Sequence, residues 1–460
     1  MDPIAERAEE HQQLSQGQRD GLLVRWLRRV GSRTWVRSVA ALALFCGIAA
    51  YGWFVCSAAN DFRAFYGIGQ LAVTRGDVYA PAPTNGYPVF YAPHFGLLMA
   101  PLTLLPERAA GFLWFLVKAA GLIWVVRELW AGMRRARSGP PPRFWPAYLA
   151  LPLVLAANPI IGEFKLGQVN LFVLLTTMLA VKRARGGRLW QAAVLYSIAL
   201  LKVTPWVFVV WFVLRRQWQL LWRLAVVGIA WLGALAIWFG PGAVHGIFQR
   251  WIESSRAGKL TFESVACFES QSLLGFTARL STLIPGLDQL VFGIPLYRLA
   301  WIPVALAFLL VLAVVAFRDG ARSGLADDRE FAFVCLVMIL VSPDSRWAHM
   351  IQVLPAFAVL ASLAESVNLF GAVRPTSIEG QPTALRGILG PIVLYGLLVM
   401  VVLTRDFVGK PLDNEVRWWS AQFMFLFALA ILISVALLYR CRPNTAADAS
   451  PVASGSTPRG

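Results

Sequence analysis

The sequence predicts an all-α polytopic membrane protein, a bundle of about 10–12 transmembrane helices, some of them short or broken. Three observations carry this. Of the 460 residues, 58% are hydrophobic, with 19 Trp and 29 Phe, and only 15% are charged, a balance outside that of soluble globular domains. Uncharged apolar runs recur along the chain, the first from Ser38 to Ala59. Between the runs, Arg and Lys collect in short clusters, the mark of cytoplasmic loops. The net charge of +17 belongs to these clusters, which set topology and meet anionic lipid headgroups, so no nucleic-acid partner is expected. Cys46, Cys56, Cys267, Cys335 and Cys441 form no CxxC or Cys/His pattern, which argues against a metal or disulfide framework. No cofactor is expected.

Taken in order, residues 1–37 are polar and mixed in charge, without the features of a cleaved secretory signal, and read as a cytoplasmic segment. The apolar runs expected to be helices are Ser38–Ala59, Ala109–Val126, Phe144–Ile161, Val169–Val181, Leu189–Leu201, Val203–Leu214, Leu224–Ala243, Leu299–Phe317, Phe331–Ser342, Ile351–Leu363, Gly387–Thr404 and Phe423–Tyr439. Basic clusters at Arg134–Arg137, Lys182–Arg188, Arg215–Arg223 and Arg440–Arg442 place those loops, and both termini, in the cytoplasm. Two of these clusters flank a single apolar stretch, so the stretch must go out and return. The sequence K-V-T-P at Lys202–Pro205 supplies the break, because proline lacks a backbone donor and disfavours helix just before it. The transmembrane domain is expected to span 38–440, with extracytoplasmic loops at 60–108 and 241–298 and a disordered cytoplasmic tail at 441–460. The expected setting is a bacterial plasma or inner membrane.

This topology gathers polar residues on the extracytoplasmic side. Asp61 ends the first helix, where a carboxylate stays near water and is placed to accept a proton from a hydroxyl. An Asn-Asp pair also serves simply as a helix cap. Gln168 and Asn170, in L-G-Q-V-N, offer amides that donate to and accept from sugar hydroxyls, and equally bond neighbouring helices. Lys202 sits between two apolar halves, a costly place for a cation unless it faces water or an anion; a phosphate is the natural partner. Lys118 is similarly isolated but reads as a snorkelling residue, and Glu163 and Lys165 as a local pair. In S-P-D-S-R-W-A-H-M, Asp344, Arg346 and His349 occupy another helix junction, with His349 a phosphate or acceptor contact or a structural histidine. Gln271 and Arg279, from Q-S-L-L-G-F-T-A-R-L, add polar groups on the same side, Arg279 as a phosphate contact or part of a solvated face.

Together these stretches resemble glycosyltransferase family 87, transferases of the GT-C type that use polyprenyl-phosphate sugars. The matching pieces are N-D-F with G-D-V-Y, then Y-A-P-H-F-G-L-L-M-A-P-L-T-L-L-P, G-Q-V-N-L, L-L-K-V-T-P, Q-S-L-L-G-F-T-A-R-L and S-P-D-S-R-W-A-H-M, in order from about residue 60 to 355. The resemblance implies a GT-C-like bundle and an extracytoplasmic site. It implies transfer of a sugar, with mannose the first expectation, from a polyprenyl-monophosphate donor to a glycolipid or polysaccharide hydroxyl, with inversion. Asp61 matches the family's acidic residue after the first helix and would be the general base. Lys202, Arg279 and, behind them, Arg346 would meet the donor phosphate, with His349, Gln168, Asn170 and Gln271 completing the substrate contacts. The last motif departs from the family pattern, since Arg346 precedes Trp347 and Met350 follows His349 where a Ser-Trp and paired histidines are common.

The competing class is a transporter or lipid flippase, which also uses broken helices and buried charge. It would place its charges near the midplane and show paired repeats, whereas here they collect at one face and no repeat is evident. A noncatalytic membrane scaffold would tolerate Asn in place of Asp61.

Overall fold

The computed structural model describes residues 34–81, 84, 86, 90–137, 141–142, 144–259, 262–291, 294–318, 328–342, 345–367, 369–370 and 383–440. Most of the expected N-terminal segment, the expected tail at 441–460, Asp344 and Cys441 lie outside them. Residues up to Ala58 form one compact unit and those from Ala59 onward a second. In the first, helix α1 covers Thr34–Val55 and a 3-10 turn, Cys56–Ala58, follows it. All of the site geometry below lies in the second unit.

The predicted all-α membrane architecture is what the chain adopts. Among the described residues, the strands form only a two-residue antiparallel pair, Leu290–Val291 with Ile294–Pro295. Six helices there are long and apolar enough to cross a membrane, or eight if each of two bent pairs counts as one span. The remaining apolar helices are short, as the breaks in the sequence pattern require.

The second unit opens with α2, Asn60–Val73, followed by α3, His94–Met99, and the long α4, Glu107–Ala136. The stretch carrying α2 and α3 was expected to be loop because it has no apolar run of spanning length. It folds as helix because Phe62, Phe65, Tyr66 and Ile68 fall on one face and are buried, the spacing of an amphipathic helix. Gly69 admits the neighbouring backbone, since a Cβ there would stand 2.9 Å from Met99 carbonyl atoms.

Helices α5, Trp145–Leu155, and α6, Ala157–Leu166, form one bent pair at 44°. Pro159 explains the bend, because its ring collides with the carbonyl four residues earlier, at Leu155, and it has no N–H to donate there. Sequence reading ended this helix at Ile161; it runs on to Leu166 because Gly162 leaves room for the indole of Trp347, which a Cβ would approach to 1.8 Å. Helix α7, Asn170–Arg185, likewise extends past its apolar run, with Lys182, Arg183 and Arg185 in its last turn, where cations favour the negative end of the helix dipole.

Helix α8, Leu189–Ala199, and α9, Trp206–Leu214, meet at the break predicted from K-V-T-P. Helices α10, Trp218–Phe239, and α11, Pro241–Lys259, come next, then the short α12, Phe262–Ala266, and α13, Leu273–Ser281. Helix α14 covers Leu296–Arg318, α15 Asp328–Val341 and α16 Leu354–Ser366, the last entered through a 3-10 turn at Trp347–Val353. Helices α17, Thr383–Leu397, α18, Arg405–Trp418, and α19, Ala421–Arg440, complete the chain. Helix α15 is buried nearly all round, Phe331 through Leu340 without interruption, so α15 and α16 form the centre of the apolar core. A buried Arg215–Glu330 ion pair, joined by a 2.7 Å bond from Trp211 Nε1 to Glu330 Oε1, ties the end of α9 to the start of α15.

Candidate active site

A cavity of about 1220 Å³ opens among the ends of these helices. Asp61, Gln168, Lys202, Arg346 and His349 line it, although 288 positions of sequence separate the first from the last. Apolar groups, among them Ile161, Leu166, Val203, Trp206, Val207, Ile252, Met338 and Val341, form much of the wall.

Asp61 lies in the first turn of α2. The side-chain amide of Gln168 donates from Nε2 to Asp61 Oδ2. Gly167 sets this geometry. It caps α6 in the left-handed region at φ 71° and ψ 25°, and a Cβ there would stand 2.6 Å from Phe62 Cβ. Only glycine lets the chain turn that tightly against α2, which brings Gln168 beside Asp61. Trp114 holds the turn with a 2.9 Å bond from Nε1 to the Gly167 carbonyl.

Tyr91 stands between the acid and the cation. Its hydroxyl donates to Gln168 Oε1 at 3.4 Å, and Lys202 Nζ sits 5.6 Å from its ring centroid. Desolvation, reinforced by the Asp61 and Glu163 carboxylates, pushes the Tyr91 phenol well above its ordinary value, so it remains a neutral hydroxyl. Lys202, exposed to the cavity by the break between α8 and α9, also donates to Asn170 Oδ1. Arg346 pairs with Glu269 at 3.0 Å, and its backbone N–H donates to His349 Nδ1 at 3.1 Å, which fixes the imidazole on the cavity wall.

Three expected contacts lie elsewhere. Arg279 is buried and does not line the cavity; its guanidinium donates to the Cys267 carbonyl at 2.7 Å, the Ser270 carbonyl at 2.8 Å and Ser420 Oγ at 2.6 Å. Burial pulls it down to about 10, which leaves it charged at neutral pH. Gln271 is buried too, donating to the Phe268 and Arg417 carbonyls at 2.8 and 2.9 Å and accepting from the Phe423 N–H. Both residues tie the α12–α13 region to the α18–α19 junction. Asn170 is completely buried behind the wall, so it touches Lys202 rather than the cavity.

The cavity also contains Lys165, expected only as half of a local pair with Glu163, and charges the sequence reading did not single out: Arg256, Glu269, Arg405, Lys410, and the buried Asp413–Arg417 pair at 2.8 Å. Arg417 lies over the Trp347 ring at 5.6 Å. The available signal was the place of Arg405–Ser420 between two apolar runs, but charges there look the same whether they face bulk water or a cavity. Lys118 corrects another expectation. It does not snorkel but forms a buried 3.0 Å ion pair with Glu163, which therefore does not pair with Lys165. Among the described residues no group of three or more His, Cys, Asp and Glu side chains is arranged to hold a metal.

The family model for glycosyltransferase family 87 matches residues 90–343, more than half of the chain. The chain belongs to glycosyltransferase family 87. Two relatives carry the same description, polyprenol-phosphate-mannose-dependent alpha-(1-2)-phosphatidylinositol mannoside mannosyltransferase. The one from Mycolicibacterium smegmatis is 28% identical over 329 residues, covering 66% of this chain and 67% of that protein. The one from Mycobacterium tuberculosis is 27% identical over 406 residues, covering 83% and 82%. Among solved structures, the crystal structure of ArnT from Cupriavidus metallidurans bound to undecaprenyl phosphate is similar with a TM-score of 0.33 and 16% identity, covering 87% of this chain and 78% of that one; no residue correspondence follows from a likeness that loose. This family 87 chain is thus a membrane glycosyltransferase, and its cavity is the candidate active site.

Proposed function

We propose that the chain transfers mannose from a polyprenyl-monophosphate donor to a hydroxyl of a glycolipid, of the phosphatidylinositol mannoside type that the relatives' names describe, on the extracytoplasmic face of a bacterial plasma membrane. The observation that carries this reading is the shared cavity of Asp61 and Lys202, which puts a carboxylate and an ammonium around one space whose wall is largely apolar. A polyprenyl phosphate needs such a space, with apolar surface for the chain and cations for the phosphate.

In this reading the acceptor oxygen attacks the anomeric carbon of mannose from the face opposite the phosphate. The C–O bond to the phosphate breaks, its electrons leave with the lipid phosphate, and the configuration inverts from a β-linked donor to an α-linked product. Asp61 takes the acceptor proton as the new bond forms. Gln168 holds one carboxylate oxygen of Asp61 and so orients the base. Lys202 meets the departing phosphate, whose negative charge grows as the bond breaks, and Arg346 stands behind it, orienting His349 through its backbone. Lys165, Arg256, Arg405 and Lys410 add positive potential that favours two lipid substrates bearing phosphate. Arg279 and Gln271 have no part in the chemistry.

The test is a transfer assay with the purified protein in lipid vesicles, supplied with labelled polyprenyl-phosphate mannose and a phosphatidylinositol mannoside acceptor. Label should appear in an α-linked glycolipid. A transporter or flippase would instead move the labelled lipid between leaflets without forming a new glycosidic bond, and that result would overturn the reading.

A further inference from the structure

Behind the cavity wall lies a connected set of polar groups that touches no substrate space. Lys118, Glu163, Asn170 and Gln352 are all at least nine-tenths buried, and none lines the cavity. Lys118 Nζ donates to Glu163 Oε1 at 3.0 Å, to the Glu163 carbonyl at 2.6 Å and to the Gln168 carbonyl at 2.8 Å, which uses the three donors of an ammonium. Glu163 Oε1 also accepts from the Leu171 N–H at 3.2 Å, and Oε2 accepts from Asn170 Nδ2 at 3.0 Å.

These bonds leave Asn170 one orientation. Its Nδ2 faces two acceptors, Glu163 Oε2 and the Ala348 carbonyl at 3.3 Å, so its Oδ1 faces two donors, Lys202 Nζ and Gln352 Nε2, the latter at 3.2 Å. A flipped amide would set donor against donor and acceptor against acceptor. The Glu163 carboxylate therefore decides where the Asn170 oxygen points, and that oxygen holds the Lys202 ammonium. The second limb runs through the backbone. Lys118 clamps the Gln168 carbonyl, beside the Gly167 turn, and the Gln168 side chain holds Asp61.

We propose that the buried Lys118–Glu163 pair is a positioning device that fixes the Asp61 carboxylate and the Lys202 ammonium together, through Gln168 on one side and Asn170 on the other. The inference rests on the transferase reading of Asp61 and Lys202. A pair that merely tied α4 to α6 would need no polar connection to the cavity, and apolar groups of the same volume would serve as well. Here each charge reaches a different cavity residue through one intermediary. Outer-shell groups of this kind typically change activity by about 10–100-fold when removed, without touching substrate.

The experiment is a double-mutant cycle on the full-length protein in lipid vesicles, with polyprenyl-phosphate mannose as the varied substrate. Lys118→Met/Glu163→Gln removes both charges at nearly constant volume, so no lone charge is left buried. It should lower kcat by about 10–100-fold and raise the donor KM. Added to Lys202→Met, it should raise the donor KM no further, because the ammonium it positions is already gone. Asn170→Ser removes the amide oxygen that holds Lys202, together with the amide's bonds to Glu163, Ala348 and Gln352, but keeps both charges of the ion pair, so a fold that tolerates it should show a raised donor KM and a kcat reduced less than in the double variant. It serves as the test where the double variant does not fold. Effects on donor KM that multiply across the cycle, or wild-type kinetics in either variant, overturn the positioning role. An unchanged donor KM in Lys202→Met alone instead overturns the assignment of Lys202 in the proposed function, and with it this limb of the inference.

Discussion

Gly167→Ala links backbone geometry to activity most sharply. Two costs meet at this position. At φ 71° an alanine occupies the left-handed region, which costs a residue with a Cβ about 1–2 kcal/mol. The new methyl also stands 2.6 Å from Phe62 Cβ and 3.1 Å from Ala59 Cβ, and neither is the far end of a flexible chain, so overpacking adds about 1–3 kcal/mol. Together the loss is about 2–5 kcal/mol. The clash pushes the 167–168 backbone away from α2, and therefore Gln168 away from Asp61. A displacement of about 1 Å at a reacting group costs about 100-fold in rate. Gly187→Ala is the matched control, since Gly187 has φ 74° with nothing within 4 Å of its Cβ position, and it should show the strain alone with normal kcat. Thermal unfolding in detergent measures the stability, and transfer kinetics measure the rate. If Gly167→Ala and Gly187→Ala lose equal stability and both keep wild-type kcat, the close approach of α6 to α2 does not set the geometry of the site.

Other outcomes follow from the same structure. Glu330→Gln strips the partner from the buried Arg215 and should destabilise the protein by about 3–5 kcal/mol, read by thermal unfolding, with the donor KM of surviving protein unchanged. Arg279→Met should reduce stability by about 2–4 kcal/mol through its lost charged hydrogen bonds, again without raising the donor KM, which separates it from Lys202→Met. His94 stacks near Trp231 with its Nε2 buried and unbonded among the described residues, and burial pushes it down to about 4. A depressed value means that the folded state resists protonation, so the stability is present above the ordinary histidine range, near pH 6.5, and is lost as pH falls from there toward 4. His94→Phe should flatten the unfolding temperature across that window relative to wild type.

The fold class and the convergence of Asp61, Gln168, Lys202, Arg346 and His349 were legible in the sequence, because basic loops constrain sidedness and Pro205 forces a break. What stayed hidden depends on packing between distant helices. The Lys118–Glu163 pair spans 45 positions, and no local pattern distinguishes such a lysine from one that snorkels. Arg279, Gln271 and Asn170 sit in the right motifs, yet a polar side chain reads the same in sequence whether it turns to a cavity or to a backbone carbonyl. Helices α2 and α11 were expected as loop because an amphipathic segment that buries only one face contains no apolar run of spanning length. Arg405, Lys410 and Arg417 were missed for a related reason: charge next to an apolar run suggests bulk solvent, and only the packed helices show that these side chains line a cavity.

The most direct measurement compares wild type, Asp61→Asn and Lys202→Met in one transfer assay with labelled polyprenyl-phosphate mannose. Asp61→Asn keeps the size of the side chain and an oxygen that can accept from Gln168 but cannot take up the proton, so kcat should fall at least about 100-fold while the donor KM stays near wild type. Lys202→Met should raise the donor KM. Wild-type kcat in Asp61→Asn would contradict a reaction that runs through this carboxylate.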